Sequence, residues 1–176
     1  FEHRLEHHLG VGPAGGGVLR RRDPVADDPV EFLRGGAGMG GHEDLGERVL
    51  ATLLFSDIDG STRLLRSIGV QRYENALAQH RLLLRDAFAR HAGYEVDTAG
   101  DSFFIAFGRA LDAVQAALDA QCALAGHAWA DGEGIRVRMG IHTCEVTEAG
   151  SGYVGMGVHR AARICAASHG GQIVLS

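Results

Sequence analysis

The segment Leu53-Leu-Phe-Ser-Asp57-Ile-Asp59-Gly60-Ser61-Thr62 is an apolar run that ends in two carboxylates, a glycine and two hydroxyls. Hard oxygen ligands at a strand end, with a turn and a helix start behind them, suit Mg²⁺ or Mn²⁺ held against phosphate groups. A second carboxylate, Asp101, lies in Ala99-Gly100-Asp101-Ser102-Phe103-Phe104, at the tip of a β-hairpin expected from the flanking apolar residues. Asp57 and Asp101 brought together would supply the carboxylates of a metal-assisted phosphoryl-transfer site. The Ile58 backbone carbonyl is a further candidate ligand. Asp-Gly and Gly-Asp are also ordinary turn chemistry, and for Asp59 the turn is the default reading.

A third block, Tyr153-Val-Gly155-Met-Gly157-Val158-His159-Arg160-Ala-Ala-Arg163, places His159 and Arg163 four residues apart. On a helix they share a face, and two donor groups beside a Gly-rich turn suit a triphosphate. A solvated helix face would have the same spacing.

The elements that must position these residues follow from periodicity. Val49 to Phe55, apolar except for Thr52, is expected to be a buried central strand. Ser61 or Thr62 is expected to cap a helix carrying Leu64, Leu65 and Ile68 and stopped by Gly69. A second helix is expected from about Tyr73 to His91, ended by Gly93, with Leu77, Leu83, Leu84 and Phe88 on its apolar stripe. Strands Tyr94–Thr98 and Ser102–Phe107 flank the Gly100 turn. A helix over Ala110–Ala125, an alternating strand over Ile135–Val146, a helix over Gly157–Ala167 and a last strand complete the order. In that strand Val137, Met139 and Ile141 share one face, with Arg136, Arg138 and His142 on the other. The plan is α+β, a ferredoxin-like βαββαβ core with additions.

Composition bounds the rest. With 176 residues, 45% hydrophobic and 22% charged, the chain reads as one globular domain with an appendage. A net charge of −5 disfavours nucleic acid as a partner. There is no apolar run of about 18 residues for a membrane span and no signal-peptide core. Cys122, Cys144 and Cys165 are far apart, and reduced, mostly buried thiols in a cytoplasmic protein are expected. Residues 1–46 hold all three prolines and several Gly pairs, the composition of a disordered arm or linker. His3, His7 and His8 there fit a solvated tail better than a metal site. The domain is expected over 47–176, truncated at its C-terminus and belonging to a longer chain with additional domains.

Together the blocks resemble the catalytic domain of the class III adenylate/guanylate cyclases. The likeness covers roughly Val49 to Ser176. It rests on Phe55-Ser-Asp57-Ile-Asp-Gly60-Ser-Thr62, Gly100-Asp101-Ser-Phe, Met139-Gly-Ile-His142-Thr143, and Gly155 to Val158 with Ala161-Ala162-Arg163. The order and spacing of four such blocks are hard to obtain by chance. The resemblance implies a homodimer with active sites at the interface, acting on ATP or GTP. It implies that Asp57, Ile58 and Asp101 hold two Mg²⁺ or Mn²⁺ ions, and that Arg163 of the partner protomer meets the phosphates. Three positions depart from the pattern. Asp97 stands where the family reads the base with Lys or Glu, Gly152 where it has Asp or a small polar residue, and His159 where it has Asn. The carboxylate of Asp97 suits guanine N–H donors; Gly152 has nothing with which to read a base. Catalysis in cyclic-nucleotide signalling is therefore expected. The alternative is a degenerate cyclase-homology domain that dimerises and senses nucleotide without turnover. A generic ferredoxin-like metal-binding module would require the four blocks to be coincidence.

Overall fold

In a computed structural model of the chain, described over residues 48–130, 132, 134–149 and 152–176, β1 (Arg48–Ile58) is buried from Ala51 to its end. Two helices follow, α1 (Ser61–Ile68) and α2 (Val70–Arg90), then the hairpin β2 (Tyr94–Ala99) and β3 (Ser102–Phe107). Helix α3 (Ala110–Gly126), β4 (Val137–Ala149), β5 (Gly152–Val154), α4 (Met156–Ala167) and β6 (Ile173–Leu175) complete the order. The expected arm over residues 1–46, with its three histidines, lies outside the described residues.

The strands form one sheet in the order β2-β3-β1-β4-β5, with β6 pairing β4 in parallel and all other pairs antiparallel. Within it, β2-β3-β1-β4 is the ferredoxin-like arrangement expected from the element order. Alternation along the strands sorts side chains to two faces. Leu54, Ile58, Phe103, Ile105, Phe107, Val137, Met139 and Ile141 pack beneath α2 and α3. Buried Ala113, Ala116, Ala117 and Ala120 give α3 a smooth contact face, which lets it seat closely. On the opposite face Ala51, Leu53, Phe55, Phe104 and Ala106 meet α4.

Several local expectations need correction. The α1 N-cap is Gly60 at φ 70, ψ 29, with no side-chain cap hydrogen bond, in place of Ser61 or Thr62. A capping Ser or Thr needs extended backbone, and both residues already lie inside the helix. Helix α2 begins at Val70, not Tyr73. Its exit runs through Ala92 at φ 53, and the Gly93 N–H returns to the Phe88 carbonyl. Gly93 is required for space, since a Cβ there would stand 2.8 Å from the Phe107 ring. Strand β5 was not expected. Of the three thiols, only Cys165 is buried; Cys144 is half-buried and Cys122 exposed.

Helix α4 approaches β4 through missing side chains. A Cβ on Gly140 would fall 2.2 Å from the Cys165 backbone nitrogen, and one on Gly157 would fall 2.3 Å from Cys144 Sγ. Overpacking at such a contact costs about 1–3 kcal/mol. Gly157→Ala should therefore lower the urea midpoint by an equivalent amount, and adding Cys144→Gly should restore part of the loss. Equal stability of Gly157→Ala and wild type would contradict this packing.

Candidate active site

Strand β1 pairs with β3 up to Ser56 opposite Phe103. Continued by one residue, that register sets Asp57 beside Ser102, which follows Asp101 at the hairpin tip. The hairpin tip that carries Asp101 is a two-residue loop whose first member, Gly100, has φ 61, the mirror-image turn that fits twisted strands. Arg81 of α2 donates from Nη2 to the Gly100 carbonyl and so ties the tip to the helix layer. One turn later, Arg85 forks onto Glu95 of β2 through bonds of 2.8 Å and lies over the Phe103 ring.

Asp57 and Asp101 are both buried, at 6% and 4% exposure. Around Asp57 the contacts are specific. Ser102 Oγ donates to its Oδ1 at 2.7 Å, and Arg138 Nη2 donates to its Oδ2 at 2.6 Å. Asp57 and Arg138 are direct cross-strand partners on β1 and β4. Burial alone disfavours the charged guanidinium of Arg138. The hydrogen bond and charge of Asp57, with smaller help from Cys165 and Asp59, outweigh that and raise its pKa above the ordinary arginine value. Asp59 serves the turn: its N–H donates to the Arg136 carbonyl, and its Oδ2 accepts from Gly170 N–H. Beside this centre, burial and then the Asp57 charge push the Cys165 thiol up to about 12, so it is protonated at neutral pH.

Among the described residues no three His, Cys, Asp or Glu side chains gather as a metal site, but the carboxylates of Asp57 and Asp101 are the kind of oxygen donor a hard divalent cation takes. Mg²⁺ takes one or two carboxylates from a protein and completes its octahedron with water and phosphate oxygens. Arg138 supplies the charge that compensates the buried Asp57 in this structure.

Strands β2, which carries Asp97, and β5, which begins at Gly152, approach one another although they lie at opposite ends of the sheet order. A Cβ on Gly152 would be 3.6 Å from Val96 Cγ1, so β5 folds back towards the neighbour of Asp97. Asp97 pairs with Phe104 past a register shift. It therefore faces the same side as Phe55 and Phe104, whose rings stack at 4.4 Å, and its Oδ1 accepts from the Thr98 N–H. His159 and Arg163 lie on one side of α4, half-buried and exposed respectively. Sequence reasoning missed Ser102 and Arg138 as parts of the site. Ser102 directly follows Asp101, which was a usable signal; Arg138 was placed only on a strand face, and its partner depends on register.

The model of the adenylate and guanylate cyclase catalytic domain matches residues 47–176. The chain belongs to this family. An uncharacterised protein of Mycobacterium tuberculosis is 38% identical over 71% of the chain, and a receptor-type adenylate cyclase of Trypanosoma congolense is 32% identical over 71%. The chain spans 42% and 22% of their respective lengths. Among solved structures, an adenylate cyclase of Trypanosoma brucei in its monomeric state is similar with a TM-score of 0.66 and 30% identity, covering 72% of each chain. The catalytic core of a rhodopsin-guanylyl cyclase with converted specificity, in complex with ATPαS, gives 0.68 and 26% identity, covering 76% of this chain and 80% of its own. Cyclase domains of this fold have been solved as monomers and as dimers. Among the described residues of this cyclase domain, no helix is long and apolar enough to cross a membrane.

Behind the site, on the α2 face, His80 is fully buried and neither ring nitrogen has a hydrogen-bond partner among the described residues. Burial first, then the Arg81 charge and more weakly Arg85, push its pKa from 6.5 down to about 4, against an opposing pull from Asp57. Between those values the unfolded chain binds the extra proton, so stability that is complete above pH 6.5 is lost as pH falls towards 4. The full loss is roughly 3 kcal/mol. His80→Met should flatten this acid limb in urea titrations at pH 7 and pH 5. An unchanged slope would assign the limb to other groups.

Proposed function

We propose that this domain is a nucleotide cyclase, converting ATP or GTP to the 3′,5′-cyclic nucleotide and pyrophosphate. The observation that carries this reading is the pair of buried carboxylates at adjoining strand and hairpin ends in a chain of the cyclase family. Asp57 and Asp101, with the Ile58 carbonyl, would hold two Mg²⁺ or Mn²⁺ ions. Such ions, when bound, supply activation of the ribose 3′-hydroxyl and neutralisation of phosphate charge.

The chain's own residues provide orientation and further charge. Ser102 donates to Asp57 Oδ1 and so holds the orientation of the carboxylate before the triphosphate arrives. Asp97 offers an acceptor that guanine N1–H and N2–H₂ can use, which favours GTP. Gly152, which approaches Val96 on the same strand as Asp97, leaves room at the base without a polar contact. Arg163 is exposed on α4 and suits donation across a homodimer interface to phosphate charge that grows in the transition state. His159, one turn earlier, can donate a hydrogen bond in the same direction.

A second reading, a nucleotide-sensing domain without turnover, is favoured by two departures from the family pattern: Gly152 has no side chain to read a base, and His159 stands where the family has an amide donor. Purified protein with Mn²⁺, given ATP and GTP separately, distinguishes the two. The enzyme reading expects cyclic product, reduced about 100-fold or more by Asp57→Ala or Asp101→Ala. Absence of product from both nucleotides with the full chain would leave the sensing role. Asp97→Asn tests base selection. It should lower kcat/KM for GTP by at least about tenfold and leave ATP nearly unaffected; equal effects on both would remove Asp97 from the base site.

A further inference from the structure

Arg138 poses a question that the metal site alone does not answer. Its guanidinium sits on the same carboxylate that is proposed to ligate the cation, at 2.6 Å, while Ser102 occupies the other oxygen. The Asp57 side chain is 9% exposed and Arg138 23%. A carboxylate so buried needs a compensating charge at all times. We propose that Arg138 is a built-in counter-ion for Asp57 which the divalent cation displaces, so that metal occupancy and the Asp57–Arg138 ion pair oppose one another. This rests on the metal-site reading above.

Three features support an exchange of cations. A guanidinium and a divalent ion on one buried carboxylate repel each other, and low local dielectric strengthens that repulsion. Because Asp57 and Arg138 are paired across the β1–β4 ladder, the swap needs only side-chain torsions and leaves the sheet intact. Arg138 also has somewhere to go. Its side chain reaches solvent, and Asp59 already adds to the negative field that it experiences. Asp59 is anchored by Gly170 N–H, so it would remain a fixed second acid for the released guanidinium. This gives Asp59 a task distinct from metal ligation.

The rival account makes Arg138 a strut that orients Asp57 for the metal, and the two accounts predict opposite signs. Mn²⁺ binding to the full chain should be measured by isothermal titration and by the rise in unfolding midpoint that Mn²⁺ produces. In Arg138→Gln the metal-free midpoint should fall while Mn²⁺ binds about tenfold tighter, the size of a typical coupling between sites. Arg138→Lys, which keeps the charge with a shorter reach, should fall between it and wild type, and serves if the glutamine variant does not fold. Arg136→Gln, which removes a nearby charge that does not touch Asp57, should change Mn²⁺ affinity far less. Asp59→Asn should weaken Mn²⁺ binding in the wild-type background and lose that effect in Arg138→Gln. Unchanged or weaker Mn²⁺ binding in Arg138→Gln, or an equal gain in Arg136→Gln, would overturn the counter-ion role while leaving the metal site standing. Mn²⁺ binding that Asp57→Ala does not diminish would instead remove the metal from Asp57, and this inference with it.

Discussion

Everything at the site depends on β1 being trapped in the middle of the sheet. It hydrogen-bonds to β3 on one side and to β4 on the other, and its residues are buried from Ala51 onward. A strand with two partners and two covered faces cannot slip by one residue without moving every side chain to the wrong face. The reward for this rigidity appears at its end. Asp57 is delivered to one face within hydrogen-bonding reach of Ser102, the neighbour of Asp101 at the hairpin tip, and of Arg138.

The two faces of the sheet divide the labour. Helices α2 and α3 supply most of the aliphatic core, and the arginines of α2 reach through to the hairpin. The opposite face carries α4, the stacked Phe55 and Phe104, and the polar groups Asp57, Ser102, Arg138 and Asp97. Chemistry and bulk packing are therefore kept on separate sides of the same strands. On the packing side His80, a neutral imidazole buried against Phe103, is a polar exception, joined by the buried hydroxyls of Thr52 and Ser56.

Much of this was legible from residue types. The apolar run into Asp57, the Gly100-Asp101 turn and the alternating strand through Met139 each depend on local patterns, and each appears where periodicity puts it. What failed depends on geometry beyond the local chain. Ser61 and Thr62 look like caps, but the left-handed Gly60 carries the chain into the helix before either can serve. Strand β5 has three residues, too few to impose a periodic signal. Arg138 could be assigned to a strand face, yet its partner is fixed by the pairing of β1 with β4 across 81 positions. The nearness of Gly152 to Val96 comes from folding one sheet edge back towards the other, which no spacing encodes.

The seat of α4 on β4 has a consequence for motion. Two absent side chains, at Gly140 near one end of the crossing and Gly157 near the other, work like keyways that receive the Cys165 backbone and the Cys144 thiol. A helix keyed at two points can neither slide along its strand nor roll about its axis by a useful angle. His159 and Arg163 therefore travel with the sheet as one rigid body. Any change in where the exposed Arg163 head group lies must come from its own side-chain torsions or from movement of the whole domain, with α4 as the lever arm.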